Sequence, residues 1–132
     1  MSSLFQSVGC IELYVSDLHD GIRYYRDFLG FKLLWRTDTS AGLGMQDGVT
    51  EVMLQTERKL MSVDFRVKSV PEALKRIKFS GGTVVRGPFD IPTGKCAVVS
   101  DSWGNIYAIT DASKGSYVTD ENCVVLGVGG RQ

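Results

Sequence analysis

Between Cys10 and Leu29 the spacing of apolar residues changes from that of a strand to that of a helix. Ile11, Leu13 and Val15 alternate with Cys10, Glu12 and Tyr14, which predicts a strand with two different faces. Leu18, Ile22, Tyr25 and Leu29 then recur at helical spacing as one stripe. Asp17 precedes the stripe, where its carboxylate can cap the free amides of a first turn. Gly30 follows it, where a left-handed residue ends a helix at little cost.

The same unit recurs when Cys10 is laid over Ser62. Val63, Phe65 and Val67 alternate with Ser62, Asp64 and Arg66. Ser69 stands in the capping position and opens a capping box with Glu72. Val70, Leu74 and Ile77 form the stripe, Pro71 sits early in the helix, and Gly82 matches Gly30. Strand-like stretches follow each helix. In the first half they are Phe31 to Thr37, a short piece around Leu43 to Met45, and Thr50 to Thr56. In the second half they are Thr83 to Arg86, Lys95 to Asp101 and Ile106 to Thr110. Gly87 to Gly94 reads as a loop, with two prolines and two glycines.

This pattern predicts an α+β domain of two β-α-β-β-β modules, about 8–57 and 60–111, with eight strands and two helices. Met1 to Ser7 reads as a short leader and 112–132 as a tail. Val118 to Val128 could add an edge strand, but its glycines suggest a loose end. In each half the apolar strand face should meet the helix stripe. The mixed faces carry Cys10, Glu12, Tyr14, Glu51, Met53, Gln55, Ser62, Asp64 and Arg66. Such polar positions are costly in a dry core without partners, so they predict a curved mixed sheet around a wet groove.

Composition narrows the function. The formal net charge is zero and there is no basic run, which argues against nucleic-acid or anionic-membrane partners. No apolar stretch approaches the length of a membrane span and no signal peptide is legible, so a cytoplasmic protein is expected. Cys10, Cys96 and Cys123 lack the spacing of a disulfide framework or zinc site. His19, the single histidine, lies off the apolar stripe and reads as a solvated surface residue.

Three stretches resemble the vicinal oxygen chelate superfamily of glyoxalase, bleomycin-resistance proteins and extradiol dioxygenases. They are LYVSDLHDGIRYYRDFLGFKL, VDFRVKSVPEALKRIKFSGG and VVSDSWGNIYAITD, the last with Ser102-Trp103 where the family favours Pro-Asp. The resemblance covers about residues 8 to 111 and implies a duplicated fold that hosts many chemistries. It also implies four metal-ligand positions, which fall here on Cys10, Met53, Ser62 and Ala108. The family's metals need imidazole or carboxylate ligands, so no metal or other cofactor is expected.

What remains is the chemistry of a small-molecule groove, with flat apolar surface and a few fixed charges. The candidate ligand-binding residues are Glu12, Tyr14, Trp35, Met53, Asp64, Arg66, Phe89 and Trp103, with Met45 nearby. The two tryptophans could stack on a planar or cationic ligand. The family's metal-free members, dimers that sequester drugs, resemble this pattern. The leading expectation is therefore a metal-independent binding protein for a small planar or cationic ligand, acting as a homodimer. One alternative is a glyoxalase-related isomerase or lyase with Glu12 or Asp64 as general base. A cluster of Glu12, Glu51 and Asp64 could also form a displaced metal site, although Arg66 argues that one carboxylate is paired instead. A protein-interaction module is the third reading.

Overall fold

The computed structural model describes residues 3–130. Met1, Ser2, Arg131 and Gln132, the outer ends of the expected leader and tail, lie outside the described residues. The chain divides into two compact units. One comprises residues 10–62 with 117–127, and the other comprises the described residues 3–9, 63–116 and 128–130.

The first unit is built on β1 (Ser7–Tyr14), whose Cys10 to Tyr14 stretch belongs to it. Then come α1 (Leu18–Ile22), a π-helical segment (Arg23–Phe28), β2 (Lys32–Arg36), β3 (Ser40–Gly44) and β4 (Glu51–Gln55). The sheet order is β2-β3-β4-β1. β2, β3 and β4 run antiparallel in turn, and β4 is parallel to β1, so the sheet is mixed. Its apolar face packs Ala41, Leu43, Val52 and Leu54 against Leu18 and Ile22. Fully burying a side chain such as Leu43 or Leu54 stabilises the fold by about 1.5–3 kcal/mol.

The second unit repeats the plan with β5 (Ser62–Arg66), α2 (Val70–Phe79), β6 (Thr83–Ile91), β7 (Gly94–Ser100) and β8 (Ile106–Thr110). The order is β6-β7-β8-β5, with β5 and β8 parallel. Val67, Val70, Ala73, Leu74, Ile77, Ala97, Val99 and Ile109 make its core. The α+β class and the duplication are as expected.

Both helices start where their caps predict. Asp17 accepts the Asp20 amide at 2.9 Å and Ser69 the Glu72 amide at 3.4 Å. The Glu72 carboxylate pairs with Lys75 at 3.1 Å rather than serving only the capping box. The first helix departs from expectation beyond Ile22. Leu29 donates to the Tyr24 carbonyl five residues back, the spacing of a π-turn. That extra residue rotates Leu29 off the stripe, leaving it 51% exposed, and Phe31 packs against Tyr25 instead. Gly30 takes the expected left-handed stop at φ 85°, and the second helix stops at the Gly81-Gly82 pair as expected, with Gly81 at φ 94°.

Three further expectations are corrected. The predicted Gly87 to Gly94 loop is mostly strand: β6 runs on to Ile91, bulged around Arg86, and only Pro92 and Thr93 separate it from β7. Irregular pairing on an edge strand tolerates the Pro88 that read as a breaker. The tail is ordered as a hairpin of β9 (Ser116–Thr119) and β10 (Val125–Gly129). That makes ten strands among the described residues rather than eight. The leader is not idle either, because Phe5 stacks on Phe65 with ring centroids 4.6 Å apart.

Candidate functional site

Strand register assembles the site in the first unit. Trp35 pairs with Gly42, Gly42 with Met53, and Met53 with Glu12. Directly opposed residues share a face, so these four form one row across β2, β3, β4 and β1, away from the core. One step along the same face, Tyr14 pairs with Gln55. Met53, Glu12 and Tyr14 thereby share a face as the alternation predicts, and Trp35 joins them through the register shift between Leu33 and Trp35 in β2.

At one end of the row Trp35 lies across the backbone of β3, where a Cβ on Gly42 would overlap the indole Nε1. The indole N–H donates to Glu51 Oε1 at 3.3 Å. Tyr117 tilts against the indole, with centroids 4.8 Å apart and planes at 47°. Burial and the nearby Glu51 charge push the Tyr117 phenol above its usual pKa. Two aromatic rings thus converge beside a carboxylate, the arrangement that attracts a flat or cationic group. Tyr117 was missed in the sequence because it lies in the tail, beyond the repeat that organised the reading.

At the other end Glu12 is 6% exposed and accepts from Arg58 Nη2 at 2.5 Å. Gln55 fixes this pair. Its Oε1 accepts the Glu57 and Arg58 amides, both at 2.8 Å, and its Nε2 donates to the Arg58 carbonyl at 2.6 Å. The cation expected from Arg66 is supplied to Glu12 by Arg58, a residue of the segment between β4 and β5 that strand periodicity could not assign.

In the second unit the corresponding row is Asp64, Ala108, Val98 and Arg86. Asp64 is buried, and Arg66 pairs with Thr110 further along β5. Phe89 pairs with Cys96 and lies under the Arg86 guanidinium, 4.9 Å from its centroid. Trp103 stands 85% exposed on the turn that Asp101 organises. Met45 is exposed just beyond β3 and His19 is exposed on α1.

The Glyoxalase/Bleomycin resistance protein/Dioxygenase superfamily profile matches residues 7–109. The chain belongs to that superfamily. An uncharacterized protein of Mycolicibacterium smegmatis is 29% identical over 103 residues, covering 74% of this chain and 87% of its own. Methylmalonyl-CoA epimerase from Mycobacterium tuberculosis has a similar fold, with a TM-score of 0.66 and 16% identity. That match covers 84% of this chain and 91% of the epimerase. A variant of homoprotocatechuate 2,3-dioxygenase from Brevibacterium fuscum is similar at a TM-score of 0.59 and 20% identity. There the match covers 82% of this chain and 33% of the dioxygenase. At these identities the structural likeness speaks for fold.

The superfamily's metal-ligand positions can be tested on this chain's own side chains. Met53 and Ala108 offer neither an oxygen nor an imidazole nitrogen. Cys10 is a buried thiol at the start of the first unit's β1 stretch, and Ser62 a half-buried hydroxyl. Glu12, the nearest carboxylate in the row to Met53, is bound to Arg58. Among the described residues no three His, Cys, Asp or Glu side chains are grouped to hold a metal ion. The donor set does not fit the family's metal.

Proposed function

We propose that this superfamily member is a metal-independent binding protein for a small planar or cationic ligand, acting as a homodimer. The observation that carries the reading is the convergence of Trp35 and Tyr117 beside Glu51, in line with Met53 and Glu12. The rings supply apolar area, and the carboxylate supplies the charge that favours a cation over a neutral ring. Within the second unit, taken by itself, Asp64, Arg66, Phe89 and Trp103 are the proposed ligand contacts, to be tested residue by residue.

The alternative isomerase or lyase requires Glu12 or Asp64 as a proton acceptor. For Glu12, the contact with Arg58 already occupies a carboxylate oxygen that a base would need to present to a substrate.

The test uses tryptophan fluorescence. Trp35 and Trp103 are the protein's two tryptophans, so Trp103→Phe leaves Trp35 as the single reporter, and the wild type is titrated beside it because Trp103 is itself a proposed contact. Titration with acridine orange and with N-methylquinolinium should quench it saturably. Glu51→Gln should weaken binding of a cation about fivefold, from the roughly 1 kcal/mol that an opposite charge about 4 Å away is worth in water. Absence of saturable quenching with any planar cation overturns the reading. Light scattering on the same samples reads the oligomeric state.

A further inference from the structure

The hairpin loop that carries Cys123 closes a second cleft, built wholly from the first unit. Its volume is about 670 Å³, and it is lined by Arg26, Lys32, Leu33, Arg36, Glu121, Asn122, Cys123 and Val124. Three cations face it from the π-helical segment and β2, against one carboxylate from the loop. Arg26 is partly engaged by Asp27, with Nε 2.8 Å from the carboxylate, and both are exposed. Leu33 and Arg36 pair with the core residues Leu43 and Ala41, so they lie on the helix side of the sheet. Trp35 pairs with Gly42 on the other side. Lys32, paired with Gly44, starts on that other side, but neither Trp35 nor Tyr117 lines the cleft.

The loop wall is rigidly made. Asp120 Oδ1 accepts the Asn122 and Val124 amides at 2.8 and 2.9 Å, and the Asp120 amide donates to the Val124 carbonyl at 3.0 Å. This tight turn drives Cys123 to φ 66°, a left-handed conformation uncommon for a residue with a side chain. The Cys123 carbonyl accepts the Arg36 amide at 2.8 Å, its Sγ lies 3.5 Å from the Leu33 carbonyl, and Val124 bridges to Arg36. The tail's loop is thus fastened to β2 and holds the cleft open against the cations.

We propose that this cleft binds a small organic anion, a carboxylate or phosphate ester. Its charged group would sit among Arg26, Lys32 and Arg36, and its apolar part against Leu33 and Val124. The volume lies in the range of small-molecule sites and exceeds what an inorganic ion needs. The planar fork of N–H donors on a guanidinium can engage two oxygens at once of a planar carboxylate or of a tetrahedral phosphate.

Cys123 is a built-in reporter, since it lines the cleft while Cys10 and Cys96 are buried. The protein is alkylated with iodoacetate, an anion, and with neutral iodoacetamide, and the rate at Cys123 is read by peptide mass mapping. The ratio of the two rates cancels the thiol's own ionisation. Normalised to N-acetylcysteine amide, it should exceed unity by about two- to threefold for each uncompensated cation some 7 Å away. It should fall in Lys32→Gln and in Arg26→Gln, both exposed positions, and in high salt. Naphthoate or naphthyl phosphate should protect Cys123 from both reagents, and the more effective one identifies the anionic group. A normalised ratio at or below unity overturns the proposal. So does a raised ratio with protection by neither compound, which would leave a charged surface without a site.

Discussion

Trp35 and Gly42 are direct partners across β2 and β3, and the indole fills the space where a Gly42 side chain would begin. The glycine is what lets the ring lie flat on the sheet, with its N–H turned to Glu51. Gly42→Ala should therefore act on Trp35. Overpacking at a buried position costs about 1–3 kcal/mol. Chemical unfolding should show that loss, and the Trp35 emission of a Trp103→Phe background should shift as the ring moves. Ligand quenching should fall at least as much as in Glu51→Gln. Unchanged emission and stability would mean that the indole has room elsewhere.

Much of this arrangement was legible because strands have a strict period. Glu12, Tyr14 and Met53 share a face by alternation alone, and the duplication identified their row. What was missed comes from residues outside the repeat or outside any period. Tyr117 reaches Trp35 from the tail, and Arg58 reaches Glu12 from a loop that Gln55 pins through three hydrogen bonds. Local patterns carry no record of such long-range partners. The Gly87 to Gly94 error has another source. Glycine and proline mark breaks in central strands, but β6 lies at the end of its sheet order, where an irregular ladder is tolerated. The π-turn that exposes Leu29 leaves no composition signal at all.

The Glu12–Arg58 pair is expected to matter mainly by avoiding a buried unpaired charge. Glu12 is almost wholly buried, while the Arg58 side chain is 43% exposed. Arg58→Met should cost about 1–3 kcal/mol, because it leaves the carboxylate without its partner. Glu12→Gln together with Arg58→Met should recover most of that loss, since neither charge remains. Denaturant unfolding of the four proteins measures the coupling directly. A double variant no more stable than Arg58→Met would show that packing of the arginine, rather than charge, is what counts.

Asp111 closes the second unit and is 1% exposed. Burial pushes its carboxyl up, but the Val70 and Lys95 amides, at 2.8 and 2.9 Å, and Ser113 together pull it below the usual value. A folded-state value below the unfolded one stabilises the protein above the unfolded pKa, near 3.9. The contribution disappears as pH falls through the folded value. Asp111→Asn should cost about 1–3 kcal/mol at pH 7 by turning an amide donor toward backbone amides. The gap between wild type and variant should narrow below about pH 4. A gap independent of pH would assign the loss to shape alone.

Asp90 on β6 carries a different kind of electrostatic load. Its carboxylate lies 2.8 Å from Lys95 Nζ on β7 and 2.9 Å from Lys114 Nζ at the start of the tail. Hydrogen bonds from Lys95 and then Lys114 lower its pKa to about 2. The group is exposed, so screening should weaken both pairs, and the stability at stake is small. The ionisation itself is the useful readout. Carboxyl carbon NMR should find Asp90 titrating near 2 at low salt and moving toward 3.8 as salt rises. Lys95→Met should raise the value more than Lys114→Met, because the Lys95 bond is the larger influence. Lys114 also donates to the Ile91 carbonyl, and its own amide donates to the Thr93 carbonyl. The backbone bond should therefore hold the Lys114 segment in place in Lys114→Met even as the Asp90 titration shifts. If Asp90 titrates at its ordinary value in the wild type, the two lysines are not held at these distances in solution.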